Sequence, residues 1–322
     1  MNPKSNGKSI KLAYSQTDDG GYDVPILLII FNRPEVTRRT FEAIALVRPR
    51  KLFLVADGSR ANRPGEAENV AQTRAIVQGG DWPCEVHVNV ANVNMGCKLR
   101  VSSGISWVFE HIDRAVILED DCLPSPAFFS YCRDMLGLYE SDRRIFSISG
   151  SNSADEKAET GHYFSRYALM WGWATWLDRW NMYQLNPRDY VQVITKVWWN
   201  RPVVLAYWLQ VFRSQADGKI DTWDVQWILT LWRNDSLACR PSSNLVRNIG
   251  FGADATHTIN ADSHLARLKT DGTDVSFLTR LCLVAPDVRR DRVDEQLWAL
   301  VNIRSVLLMY FPWVGRLKRS LS

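Results

Sequence analysis

The 322-residue sequence is short of several things that would fix a function class at once. Its six cysteines, at 84, 97, 122, 132, 239 and 282, form no CxxC pair, so a structural zinc site of the usual spacing is excluded. Long apolar runs are missing. The polar first 23 residues hold no signal core, and no stretch is long enough to span a bilayer. Free thiols, a reducing compartment and a cytoplasmic location are therefore expected. Charge of one sign is not in excess: 39 Lys and Arg against 35 Asp and Glu leave a net charge of +4, without the basic stripe of a nucleic-acid binder. Internal repeats and low-complexity segments are absent, and no glycine-rich phosphate loop follows the first apolar run.

What is there is an alternation of buried strands and helices. Residues 25–31 (PILLIIF), 51–56 (KLFLVA) and 115–118 (AVIL) read as buried strands of a parallel sheet, and residues 85–89 read as a further strand. Helices are expected after Asn32-Arg33-Pro34, over 65–77, over 98–112, and after Ser125-Pro126. Together these predict an α/β three-layer sandwich with a mostly parallel central sheet. The second half is less regular: a strand at 145–149, an aromatic segment at 171–176, mostly helix over 187–235, then strand and glycine-containing loop over 236–262. Residues 1–23 are expected as a tail, 24–265 as the main domain with halves at about 24–150 and 151–265, and 266–322 as a helical extension.

In such sheets ligands bind beyond the carboxyl ends of the strands. Three polar clusters fall there: Asn32-Arg33, Asp57-Gly58 and Glu119-Asp120-Asp121. Adjacent carboxylates at a strand end repel unless a cation is present, and hard divalent ions accept one or two carboxylates plus phosphate oxygens. Strand alternation would turn Glu119 and Asp121 to one side and Asp120 to the other. Lys98 and Arg100, opening a helix, are placed to meet a diphosphate at its N-terminus. Of the 14 tryptophans, many lie between 171 and 232; most are expected in the core, some along a sugar-binding cleft.

The segments IIFNRPEVTRR (29–39), VADG (55–58), WVFE…AVILEDDCLPSPAFF (107–129) and DTWDVQW (221–227), with looser matches at Cys239-Arg240-Pro241, Gly250–252 and His257, resemble GT-A glycosyltransferases. The nearest likeness is to the family of the inverting N-acetylglucosaminyltransferase that starts complex N-glycan branches. The resemblance implies a GT-A-like fold, a UDP-sugar donor with UDP-GlcNAc as one candidate, and a Mn²⁺ or Mg²⁺ cofactor. It implies Asp121 and His257 at the metal; Asn32, Arg33, Asp57, Arg100, Glu119 and Asp120 at the donor; and Asp224 as catalytic base. Asp57 would accept from the base's N–H. The family's histidine before the acidic strand falls on Arg100, and its WDDW segment becomes Trp223-Asp224-Val225-Gln226-Trp227.

A base such as Asp224 suits a single inverting displacement by an acceptor hydroxyl, with no carboxylate nucleophile needed. A sugar nucleotidyltransferase is the rival enzyme, though FNRPE is not its usual loop. A non-catalytic sugar-binding module would leave the acidic triplet without purpose. The acceptor is expected to be a glycan or a lipid-linked sugar. Residues 296–321 combine a broad apolar surface with Tyr310, Trp313, Arg304, Arg316, Lys318 and Arg319, a pattern suited to the inner face of the cytoplasmic membrane.

Overall fold

The computed structural model describes residues 21–78, 80–153, 161–251, 264–270, 283–299 and 301–310. Its first half alternates as expected: β1 (Ile26–Ile30), α1 (Pro34–Val47), β2 (Lys51–Ala56), α2 (Glu66–Ile76), β3 (Glu85–Val90), α3 (Cys97–Phe109), β4 (Arg114–Glu119), β5 (Cys122–Pro124) and α4 (Pro126–Leu138). Next come β6 (Ile145–Ser149), β7 (His162–Ser165), β8 (Trp173–Trp176), α5 (Leu177–Trp180), α6 (Tyr190–Trp198), α7 (Pro202–Ala216) and α8 (Asp224–Arg233). The series ends with β9 (Leu237–Pro241), β10 (Val246–Asn248), α9 (Val288–Leu297) and α10 (Ile303–Tyr310).

Among the described residues eight strands form one sheet in the order β3-β2-β1-β4-β8-β6-β9-β7. The first four pair in parallel. β8 runs antiparallel to both β4 and β6, so β6 and its parallel neighbour β9 share the direction of the first four. β7 opposes β9, leaving six of the eight strands pointing one way. The expected α/β sandwich with a mostly parallel sheet is what the structure has.

Strand alternation sorts the side chains into two layers. Ile26, Leu28 and Ile30 of β1, with Leu52 and Leu54 of β2, face a core shared with Phe41 of α1 and Phe128 of α4. Leu27, Ile29, Phe53 and Val55 face the opposite core, with Ile105 of α3 and Trp227 of α8. Nine of the 14 tryptophans pack in or against this second core. Trp173 lies 5.6 Å from Trp223 and 5.4 Å from Trp227, centroid to centroid, and all three are fully buried. Burying such rings gives a large apolar gain and fixes their mutual geometry.

Register sets the site. Ile29 pairs with Val55 on one side and Glu119 on the other, so β1, β2 and β4 end level. Phe31-Asn32-Arg33, Asp57 and Asp120-Asp121 thus leave the sheet along one edge. The reversal of β8 brings the preceding residues, Leu169 to Trp171, to the same edge from the opposite direction.

α9 is knit into the second half of the molecule. Asp294 pairs with Arg240, the two side chains 1% and 0% exposed, and also accepts from the Ser153 hydroxyl. Glu295 takes both outer nitrogens of Arg201, at 2.6 and 2.5 Å, and the Tyr167 hydroxyl at 2.9 Å. Asp291 accepts from Ser165 Oγ at 2.7 Å and from Arg166. The helical extension expected beyond 265 is thus joined by buried charge to β7, β9 and α7. Among the described residues no helix is long and apolar enough to cross a membrane.

Candidate functional site

A cavity of about 430 Å³ opens at the common strand edge. Eight of the sequence-predicted site residues line it: Asn32, Arg33, Asp57, Arg100, Glu119, Asp120, Asp121 and Asp224. His257, the ninth, lies outside the described residues.

Asp57 directly follows β2 and is almost wholly buried. Its Oδ1 accepts from the Gly58 and Met95 amides at 2.8 and 2.9 Å, and its Oδ2 from Asn94 Nδ2 at 3.0 Å. It therefore anchors the turn between β3 and α3. The same turn explains the adjoining Gly58: a Cβ there would sit 2.7 Å from Val93 Cα and collide with the Val93 carbonyl carbon, so only glycine lets the two backbones pass so closely. Burial pushes the Asp57 carboxyl up, while the Met95 and Gly58 amides and the Arg100 charge pull against it.

Arg100 is buried, and its Nη2 donates to the Asn89 carbonyl at 2.6 Å and side chain at 3.0 Å. Burial lowers its guanidinium to about 10. Its Nε is buried and makes no hydrogen bond. The N-terminus of α3, expected as a diphosphate cradle, is already in use. The Asp221 carboxylate accepts from the amides of Cys97 at 3.0 Å and Lys98 at 3.2 Å, and Lys98 Nζ turns aside to Asn186. Orphan amides at a helix start bind whatever anion is nearest, and here a side chain 124 residues away is nearest.

The acidic triplet does not follow the expected alternation. β4 ends at Glu119, and the chain turns at Asp120 and Asp121, so the period-two rule stops with the strand and all three residues line the cavity. Asp120 is held by Arg33 and by the Phe31 amide at 3.4 Å, and its own carbonyl accepts from Thr40. Burial works against the Arg33 charge, but Asp120 and Asp121 outweigh it and hold the guanidinium charged well above its ordinary range. Glu119 is pushed up to about 8 by burial first, and then by the carboxylates of Asp121, Asp120 and Asp224. The cluster is thus short of positive charge. Its all-oxygen donors suit a hard divalent cation that completes its shell with phosphate and water. Among the described residues no three His, Cys, Asp or Glu side chains converge as a ready-made ligand set.

Asp224 opens α8 and lines the cavity. Its Oδ1 accepts from the Thr222 hydroxyl and from the Val225 amide at 2.8 Å, which fixes the carboxylate at the helix start. A carboxylate so held can take a proton from a hydroxyl within reach.

Several lining residues are additions to the sequence reading: Phe31, Arg60, Asn94, Asp221 as a helix cap, and Trp298. Arg60 stands 5.4 Å over the Phe31 ring and is fixed by Glu66, which also accepts from Asn32 at 3.1 Å. Trp298 follows α9, packs on Trp208 and Tyr167, and closes the wall near Trp171 and Trp223. Of the tryptophans expected along a cleft, Trp171 and Trp223 reach the cavity, whereas Trp173, Trp208 and Trp227 belong to the core.

No protein-family model and no curated protein matches the chain. Among solved structures, a mannose-1-phosphate geranyltransferase from Thermus thermophilus is similar at 10% identity, over 67% of this chain and 73% of its own, with a TM-score of 0.33. A UDP-glucose pyrophosphorylase complexed with UDP-glucose is similar at 11% identity, over 49% of this chain and 79% of its own, with a TM-score of 0.28. Likenesses this faint do not bear on function, and the fold rests on the strand order and register themselves.

Proposed function

We propose that this protein is a glycosyltransferase that moves a sugar from a UDP-sugar to a hydroxyl of a glycan or lipid-linked acceptor, with inversion at the anomeric carbon. The supporting observation is the gathering of Asn32, Arg33, Asp57, Arg100, the Glu119-Asp120-Asp121 turn and Asp224 around one cavity of about 430 Å³, a size that suits a nucleotide sugar. In this reading the base lies between Phe31, Arg60 and Asp57, where a carboxylate oxygen favours a ring N–H over a ring acceptor. Arg33 and Arg100 face the phosphates. Glu119 and Asp120 border the transferred sugar.

Asp121 would hold Mn²⁺ or Mg²⁺, with His257 as a second candidate ligand; the ion would supply charge neutralisation for the departing diphosphate. The protein's own groups do the rest. Asp224, fixed by Thr222 and the Val225 amide, takes the proton of the acceptor hydroxyl as that oxygen attacks the anomeric carbon. Trp171 and Trp298 offer flat faces to an acceptor sugar and exclude water around the attacking oxygen.

The test is a screen of UDP-, dTDP-, GDP- and CDP-sugars with and without Mn²⁺, read by thermal shift and by release of free nucleoside diphosphate. Metal-dependent release of UDP from a UDP-sugar is expected. Release of pyrophosphate from a nucleoside triphosphate and a sugar phosphate would identify a nucleotidyltransferase instead. Binding without turnover of any donor would leave a sugar-binding module.

A further inference from the structure

Arg33 stands where a cation would stand. As the N-cap residue of α1 it reaches back to the turn after β4. One of its terminal nitrogens donates to Asp120 Oδ1, and the same nitrogen lies 3.2 Å from Asp121 Oδ2. The other Asp121 oxygen faces the Cys122 thiol at 3.6 Å. Backbone closes over the pair: a Cβ at Gly250 would lie 2.6 Å from Arg33 Nη1 and would overlap Asp121 Oδ2. With the guanidinium in this position, Asp121 Oδ2 already has a positively charged partner 3.2 Å away.

Resting on the metal-dependent transferase reading above, we propose that Arg33 gates the metal: without donor it holds the cation position on Asp121, and it yields that position only to a diphosphate that takes over its free N–H groups. The chemistry of the fork makes the exchange local. Arg33 has five N–H donors, so it can keep the buried Asp120 while turning from Asp121 to a phosphate oxygen, a partner it binds with matched geometry. A divalent ion beside an unmoved guanidinium is opposed by like charge. Metal and nucleotide therefore enter as a pair. By reciprocity, the factor by which UDP tightens Mn²⁺ equals the factor by which Mn²⁺ tightens UDP.

The experiment measures Mn²⁺ binding by calorimetry and by electron paramagnetic resonance on the full chain, with and without UDP, in wild type, Arg33→Gln and Arg33→Lys. Circular dichroism and the thermal midpoint check each fold. Wild type should bind Mn²⁺ at least tenfold tighter with UDP than alone. Arg33→Gln should bind Mn²⁺ alone at least tenfold tighter than wild type, with the coupling to UDP correspondingly reduced. Arg33→Lys, a cation without the fork, should fall between them, and it carries the test if the Gln variant does not fold. Equal Mn²⁺ affinity of wild type and the folded variants without UDP would overturn the gate while leaving the transferase reading intact. UDP binding that never recruits Mn²⁺ in any variant would remove the metal from the transferase reading, and the gate with it.

Discussion

Replacing Asp294 with Ala should show that α9 is structural and that it also shapes the cavity wall at Trp298. The Asp294 carboxylate is the one that pairs with the fully buried Arg240 guanidinium. Without it, Arg240 keeps the Ser151 carbonyl, 3.1 Å from Nε, and the Tyr163 ring, 5.4 Å from its centre; Nη2 already makes no hydrogen bond. Removing one partner of such a pair costs about 3–5 kcal/mol, because an uncompensated buried charge is left behind. Asp291, whose charge also favours the Arg240 cation, offsets part of this and places the value nearer the lower end. Against a typical total of about 5–15 kcal/mol the loss is large. Urea unfolding at about pH 7 should show a midpoint lower by about 1 M if the slope is near ~3 kcal/mol per M. The double variant Asp294→Leu, Arg240→Met should recover most of the loss. In Asp294→Ala the α9 anchor of Trp298 is loosened, so the acceptor KM should rise while donor affinity holds. A loss below about 1 kcal/mol, or a double variant less stable than the single, would refute the reasoning.

Four further outcomes are expected. Asp121→Ala should fold normally yet lose turnover and Mn²⁺-dependent nucleotide binding, which calorimetry checks; undiminished activity would remove Asp121 from the site. Asp224→Asn should bind donor as wild type does while kcat falls by about 10²–10⁴-fold, the usual loss of a general base; lost donor binding would make Asp224 a donor-site residue. Asp291 is buried and its carboxyl is raised to about 6, with burial the first cause, so the native state holds its proton to higher pH than the unfolded chain at about 4. Stability from this group is therefore present below about pH 4 and is lost as pH rises through about 6; Asp291→Asn should flatten the thermal midpoint between about pH 4.5 and 7, and an unchanged slope would count against it. Finally, α10 exposes Ile303, Leu307, Leu308 and Tyr310, so the full chain should sediment with anionic vesicles and a chain ending at residue 302 should not; indifference of the full chain to vesicles would end the membrane reading.

The strand-end side of the cavity is legible in the sequence because β1, β2 and β4 are largely apolar on both faces and stop abruptly at polar residues. Such runs can only be buried strands, and a shared register brings their ends together. Contacts made across the chain are not legible in the same way. Asp291, Asp294 and Glu295 form an acidic stripe at helical spacing that looks like a solvated face. They are buried because Arg240, Arg166 and Arg201 await them, and no local pattern announces those partners. The capping of α3 by Asp221 is hidden for the same reason. The short strands β7 and β8 give no periodic signal, since HYFS and WATW are buried throughout and carry no alternation. At Asp120 the strand stops one residue sooner than alternation assumes, enough to reverse a side chain.

The Arg240–Asp294 pair also has a consequence for how a nascent chain matures. Arg240 lies on β9, an interior strand of the sheet, while its counter-ion arrives on a helix more than fifty residues later. At about 5–20 residues per second, a ribosome leaves that strand without its anion for several seconds. During this interval β9 would have to bury a bare guanidinium to join β6 and β7, so its final seating waits for α9. A chain that stopped short of residue 294 would leave Arg240 on β9 without this counter-ion. The seating of β9 and the placing of Trp298 at the cavity wall thus depend on one helix.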